Sequence, residues 1–235
     1  MTSHLKEMKI MLNEIYEVDK AKLNVMVWGQ AGSGKSFFLE HTAGKYLQGN
    51  TDPYYRMVAI APKGEGYESL LGKKEKPVNN MDDFAKSVQK QRVTVFYPSM
   101  AGLDEQVDQA INTLFDLREQ NPDLKVALII DDAQVFLSSR KAASDAHKRL
   151  ALTGRSRGLR AIYVSHNIVF ARELEGQITH LVGFSNPNPI YYKQAIERFD
   201  FDPAPFQDDI NSKKYSFVYY DVTKEPILMS PIGEE

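Results

Sequence analysis

The chain has 235 residues, 43% hydrophobic and 26% charged, with a net charge of −2. That suits one α/β domain with a sizeable core, and it excludes a bulk basic field that would draw the whole chain to nucleic acid. The lack of cysteine excludes disulfides and thiolate metal sites, and the five histidines, with no H-x-x-x-H pair, give no zinc motif.

The start, Met1–Lys9, has charges inside its apolar pattern and no signal-peptide core; it reads as a short amphipathic helix ending near Val18. A β-rich run, Leu23–Trp28, leads into Gly29-Gln30-Ala31-Gly32-Ser33-Gly34-Lys35-Ser36, which fits the phosphate-loop pattern G-x-x-x-x-G-K-[ST]. A helix over Lys35–Leu47 follows. Strand, glycine loop and helix in that order aim successive backbone N–H groups and a helix N-terminus at phosphate. Gly32 and Gly34 let the backbone approach closely with φ > 0. Lys35 is expected at the β- and γ-phosphates of ATP and Ser36 at Mg²⁺, with Gly29, Gln30, Ala31, Gly32, Ser33, Gly34, Lys35, Ser36 and Phe37 forming the binding stretch.

Further strands are expected at Met57–Ala61, Val93–Tyr97, Val126–Ile130, Ala161–Ser165 and Thr179–Phe184. Helices at Met81–Gln91, Leu103–Glu119, Ala143–Thr153 and Ile168–Leu174 alternate with them, the signature of a mostly parallel sheet flanked by helices. Pro62–Asn80 holds Gly64, Gly66, Gly72 and a Lys73-Lys74-Glu75-Lys76 cluster and reads as a long surface loop. Tyr215–Val222 reads as a last strand. No apolar run reaches the roughly 18 residues of a membrane span. Residues 1–20 are thus an N-terminal helix, 21–185 the nucleotide-binding core, and 186–235 a C-terminal helix and strand extension.

The run Val126–Ile130 ends in Asp131-Asp132. Ligands of open α/β sheets sit at the C-terminal ends of the strands. Asp131 is expected at the Mg²⁺ held by Ser36, and Asp132 is placed to orient or deprotonate the attacking water. Alone, such a pair is also ordinary turn chemistry; the upstream loop favours the nucleotide reading. Next comes Thr153-Gly-Arg-Ser-Arg-Gly-Leu-Arg160, then a strand ending in Ser165-His166. If that strand neighbours the loop strand, His166 stands near the γ-phosphate; the alternative is a turn or core histidine. Arg155, Arg157 and Arg160 suit either a finger completing a neighbour's site or a solvated basic helix end.

Taken together and in this order, these elements resemble the HerA/FtsK superfamily of ring-forming DNA-pumping ATPases. Within it they are most similar to the small genome-packaging ATPases of poxvirus and tectivirus type. The resemblance covers roughly residues 20 to 185. It implies a RecA-like P-loop NTPase core in a homo-oligomeric ring, hexameric or pentameric, with each site between two subunits. ATP and Mg²⁺ would be its cofactors and double-stranded DNA the polymer it moves. Residence in the host cytoplasm or the virion would follow, with docking on a capsid vertex or a membrane protein. The resemblance also makes Lys35 and Ser36 the phosphate and Mg²⁺ residues, Asp131 the metal support and Asp132 the catalytic acid. Arg155 becomes the finger, with Arg157 next. His166 stands where cellular members usually carry Gln, and Asp132 where they carry Glu, one methylene longer.

Cellular members carry extra modules, whereas about 22 residues precede the first core strand here, so a minimal packaging motor is the expectation. DNA would then meet channel loops, with Gly64–Lys76 and Arg140–Arg149 as the basic segments available. Other readings are an AAA+-like helicase loader, an assembly or secretion ATPase acting on protein, and a nucleotide-dependent switch. A helicase loader usually carries an additional helical lid, of which the sequence after Phe184 shows no convincing sign, and a GTPase would need an N-K-x-D motif; Ser185-Asn-Pro-Asn188 lacks both Lys and Asp.

Overall fold

The computed structural model describes residues 3–18, 24–137, 142–168, 171–186, 188–212, 215–221 and 224–229. The N-terminal half runs α1 (Ser3–Tyr16), β1 (Asn24–Trp28), α2 (Lys35–Gly49), β2 (Tyr55–Ile60), α3 (Met81–Lys90), β3 (Val93–Phe96) and α4 (Leu103–Gln120). The C-terminal half runs β4 (Lys125–Ile130), α5 (Asp145–Thr153), β5 (Leu159–Ser165), α6 (Arg172–Glu175), β6 (Ile178–Phe184), α7 (Pro189–Phe199), α8 (Gln207–Ser212), β7 (Phe217–Asp221) and β8 (Ile227–Met229).

The strands form one eight-stranded sheet in the order β3-β2-β4-β5-β1-β6-β7-β8. The pairs from β3 through β6 are parallel, while β7 and β8 add an antiparallel edge. Strand β5 lies between the loop strand β1 and the acid strand β4: Ile162 is the register partner of Val25 on one side and of Ile129 on the other.

Alternation along the strands divides the core. Val25 and Val27 of β1 pack with Ile15, Phe38 and Leu39 on the α1–α2 side. Met26 and Trp28 face the other way, into the layer holding Ile111, Leu114 and Leu150. The expected stripe on α4 (Val107, Ala110, Ile111, Leu114, Leu117) is buried as its spacing requires. Helix α1 is anchored by polar contacts in the interior: Tyr16 Oη meets Thr42 Oγ1 at 2.8 Å, and the Tyr55 hydroxyl donates to the Tyr16 carbonyl at 2.9 Å.

The α/β class and the parallel core match the expectation, and two local readings are corrected. Of the helix expected over Ile168–Leu174, the structure describes Ile168 outside any helix and one helical turn at Arg172–Glu175, while residues 169 and 170 lie outside the described residues. Pro62–Asn80 is not simply surface: Tyr67 is fully buried and Val78 bridges to Phe96. Leu23, Arg140 and Val222, which the sequence reading placed in a strand, a basic segment and a strand, lie outside the described residues. No helix among the described residues is long and apolar enough to cross a membrane.

Gly158 turns the chain from α5 into β5 with φ of 67°, a left-handed backbone. A Cβ there would stand 2.9 Å from the Leu124 carbonyl oxygen. Gly158→Ala is therefore expected to lower unfolding stability by about 1–2 kcal/mol from the backbone cost alone. Gly49→Ala, where a Cβ meets open space, should be neutral or slightly stabilising. Chemical denaturation of both variants checks this; equal effects would contradict it.

Candidate nucleotide site

Strand β1 stops at Trp28, and the chain wraps over its C-terminal end before α2 begins at Lys35. The wrap is pinned to both neighbouring strands: Gly29 N donates to Ser165 O at 3.3 Å, and Gln30 N to Ser185 O at 3.0 Å. Gly34 caps α2 with φ of 103°. A Cβ there would run into the Tyr215 ring, so conformation and contact both demand glycine. Tyr215 stacks on Phe37 with ring centres 5.7 Å apart, giving the loop an aromatic rim. Together with Ala31, Gly32, Ser36 and Lys63, these residues line a cleft of about 350 Å³ that also holds Asp131, Asp132 and His166.

The structure brings most of the expected residues together. Lys35 is buried, and its ammonium donates to Gly29 O at 2.7 Å and Gln30 O at 2.9 Å. Burial pushes its pKa down to about 8, against the opposing pull of Asp131 and Asp132. It also lies 3.3 Å from His166 Nδ1, while His166 Nε2 lies 3.3 Å from Asp132 Oδ1. The neutral tautomer that accepts at Nδ1 and donates at Nε2 satisfies both contacts. His166 is thus at the cleft, bridging Lys35 and Asp132.

Asp131 extends from the end of β4, its amide bonded to Ile60 O at 3.0 Å. Its carboxylate accepts from the Asp132 amide at 2.8 Å and from the Tyr67 hydroxyl at 3.0 Å. Burial raises its pKa, so the anion is one that a bound cation would stabilise. Ser36 and Asp131 line the same cleft. An all-oxygen donor set of one hydroxyl and one carboxylate fits Mg²⁺, which keeps waters and takes its other ligands from phosphate.

Lys63, Tyr67 and Tyr215 escaped the sequence reading of the site. Lys63 pairs with Asp132 Oδ2 at 3.0 Å, and Tyr67 braces Asp131. Both belong to the glycine-bearing segment after β2, whose composition reads as loop. Only its start at the C-terminal end of a parallel strand marked it as site material. Glu40 of α2 holds this segment in place by accepting from the Tyr67 amide at 3.1 Å.

Other expected residues lie elsewhere. Arg155 and Arg157 are exposed on a single 3₁₀ turn before β5, at the far end of the strand from His166. The strand's length, roughly 20 Å at 3.3 Å per residue, separates them from the loop of their own chain. Arg160 is buried and donates to Glu17 O at 3.0 Å, so it serves packing against α1. Arg149, in one of the two basic segments, lies 4.0 Å over the Phe115 ring and pairs with Glu119 at 3.5 Å. Lys73, Lys74 and Lys76 of the other segment are exposed.

No protein-family model matches the sequence, and no curated protein is detectably similar to it. Solved structures are similar. The genome packaging NTPase B204 from Sulfolobus turreted icosahedral virus 2, in complex with ATP-gammaS, superposes with a TM-score of 0.72 at 17% identity, covering 92% of this chain and 99% of B204. The chain has a P-loop NTPase fold. VirB4 of Thermoanaerobacter pseudethanolicus follows with a TM-score of 0.60 at 11% identity, covering 91% of this chain and 90% of VirB4. EssC (ATPases 2 and 3) from Geobacillus thermodenitrificans gives 0.58 at 12% identity, over 91% of this chain and 40% of EssC.

Tyr67→Phe removes one hydroxyl and keeps the buried ring. If Tyr67 orients the cation ligands, the Mg²⁺ concentration needed for half-maximal nucleotide binding should rise about 10-fold or more. Titration of Mg²⁺ at fixed fluorescent ATP analogue measures it, and an unchanged midpoint would remove Tyr67 from the metal site.

Proposed function

We propose that this protein is an ATPase that moves double-stranded DNA, and that its task is packaging a viral genome. The convergence on one cleft of a glycine loop, two carboxylates and His166, each from a different parallel strand, carries the nucleotide part. The match to B204 over nearly both whole chains supports the packaging part.

In this reading the loop amides and Lys35 hold the β- and γ-phosphates, and the rim of Phe37 and Tyr215 receives the base. Ser36 and Asp131 would hold Mg²⁺, which when bound neutralises charge on the phosphate oxygens. Asp132 takes a proton from water as the water oxygen attacks the γ-phosphorus and the β–γ bridging oxygen departs with ADP. His166 donates to Asp132 and fixes its orientation.

Arg155 acts on the site of an adjacent subunit, with Arg157 beside it. Their distance from their own loop supports that role, as does Leu152, 62% exposed on the same end of α5, which offers an apolar contact to a second copy. The ring is homo-oligomeric, and DNA passes exposed lysines such as Lys73, Lys74 and Lys76. The motor works in the host cell or on the virion, docked at a capsid vertex or a membrane protein.

Hydrolysis should rise on adding long double-stranded DNA and be lost in Lys35→Ala. Turnover indifferent to DNA would shift the reading to a protein-directed ATPase. Arg155→Ala should keep ATP binding and lose turnover by about 10³-fold or more, as for other trans fingers. Mixing it with Asp132→Asn should restore part of the rate at mixed interfaces; no recovery in verified mixed assemblies would sink the trans role.

A further inference from the structure

We propose that Lys63 reads the terminal phosphate of the bound nucleotide and, by leaving Asp132 for it, frees that carboxylate to act on water. The inference rests on the ATPase reading above and adds a residue that reading does not use. Both Asp132 oxygens are engaged: Oδ2 by the Lys63 ammonium at 3.0 Å, and Oδ1 by Gln134 Nε2 at 3.0 Å and His166 Nε2 at 3.3 Å. Three of the carboxylate's roughly four lone-pair positions already face donors, so an attacking water would have to share Oδ2 with the Lys63 ammonium.

The three donors are not held equally. Gln134 and His166 are locked to each other, since the His166 amide donates to Gln134 Oε1 at 3.2 Å, and the His166 ring is also held by Lys35. Lys63 reaches in on a side chain that is 59% exposed. Ion pairs with one well-solvated partner are weak and exchange readily. Lys63 is thus the donor free to move.

The anion that would draw it away belongs in the same cleft, because Lys63, Lys35 and Ser36 line it together. A triphosphate seated on the loop carries its terminal group into the space between Lys35 and Lys63, with more negative charge than one carboxylate. Lys63 then turns to phosphate, and Asp132 Oδ2 opens to the attacking water. The water oxygen bonds to the γ-phosphorus, its proton passes to Oδ2, and the bond from phosphorus to the bridging oxygen breaks. A diphosphate ends short of Lys63 and leaves the pair with Asp132 intact. Base and substrate are thereby coupled: the acid is released only when there is a γ-phosphate to attack.

The test compares wild type, Lys63→Gln and Lys63→Arg in direct binding of ATP-gammaS and of ADP, and in steady-state hydrolysis. Lys63→Gln is expected to bind ADP within about twofold of wild type, ATP-gammaS about 10-fold more weakly, and to lose about 100-fold in kcat. Lys63→Arg, which keeps the charge, should recover most of both. Equal weakening toward ADP and ATP-gammaS would make Lys63 a structural brace and overturn the proposal. A kcat that rises in Lys63→Gln would overturn it too, since Lys63 would then only restrain Asp132. If the wild type binds neither nucleotide, the ATPase reading itself falls. If it binds both and Lys63→Gln keeps the wild-type preference, only the role of Lys63 falls.

Discussion

Because β5 lies between β1 and β4, the glycine loop and the Asp131–Asp132 pair stand two strand spacings apart, about 10 Å. Acids on the adjacent strand would crowd the phosphates, and acids a strand further out would not reach them. At two spacings there is room for a terminal phosphate and a water, and the middle strand must supply whatever sits between. It supplies His166, in contact with Lys35 on one side and Asp132 on the other. The register that fixes this is apolar: Ile162 sits beside both Val25 and Ile129 in a sheet with no polar side chain at those positions. Packing in the middle of the sheet therefore sets the distances at its edge.

The loop is organised by the same contacts. Its amides at Gly29 and Gln30 are tied to carbonyls at the ends of β5 and just beyond β6. Lys35 is turned onto two of the loop's own carbonyls, so its buried charge is satisfied within the loop. Phosphate binding then exchanges one set of polar partners for another and does not require the loop to fold. Preorganised donors of this kind cost little reorganisation when charge arrives.

Signals that are local in the chain were legible in the sequence. The pattern from Gly29 to Ser36 requires its strand–loop–helix context, and apolar runs such as Val126–Ile130 require a buried strand. The residues that escaped depend on tertiary placement. Lys63 and Tyr67 sit in a stretch whose glycines and lysines look like solvent-facing loop, yet Tyr67 is buried with its hydroxyl on Asp131. Tyr215 comes from the far end of the chain and meets Gly34 only because β7 lies beside β6. The arginines show the converse. Arg155, Arg157 and Arg160 share one residue type and one short stretch, but Arg160 falls on a strand and is buried while the other two fall on an exposed turn.

Backbone conformation also accounts for an aspartate at position 132, where the resemblance would lead one to expect glutamate. Asp132 is left-handed, with φ of 48° and ψ of 37°, as the chain leaves β4 and turns into the 3₁₀ segment Ala133–Val135. That region is unfavourable for residues with a Cβ, and Asp and Asn tolerate it better than longer side chains because their short polar groups bond locally. The turn thus favours the shorter acid. The carboxylate lies 3.3 Å from His166 and 3.0 Å from Lys63, two residues that line the cleft. A glutamate on the same left-handed backbone would carry the conformational cost and push its carboxylate past these partners. The short acid and the left-handed turn therefore belong together, and the distance that matters at this site is the one set by β4 and β5, not by side-chain length.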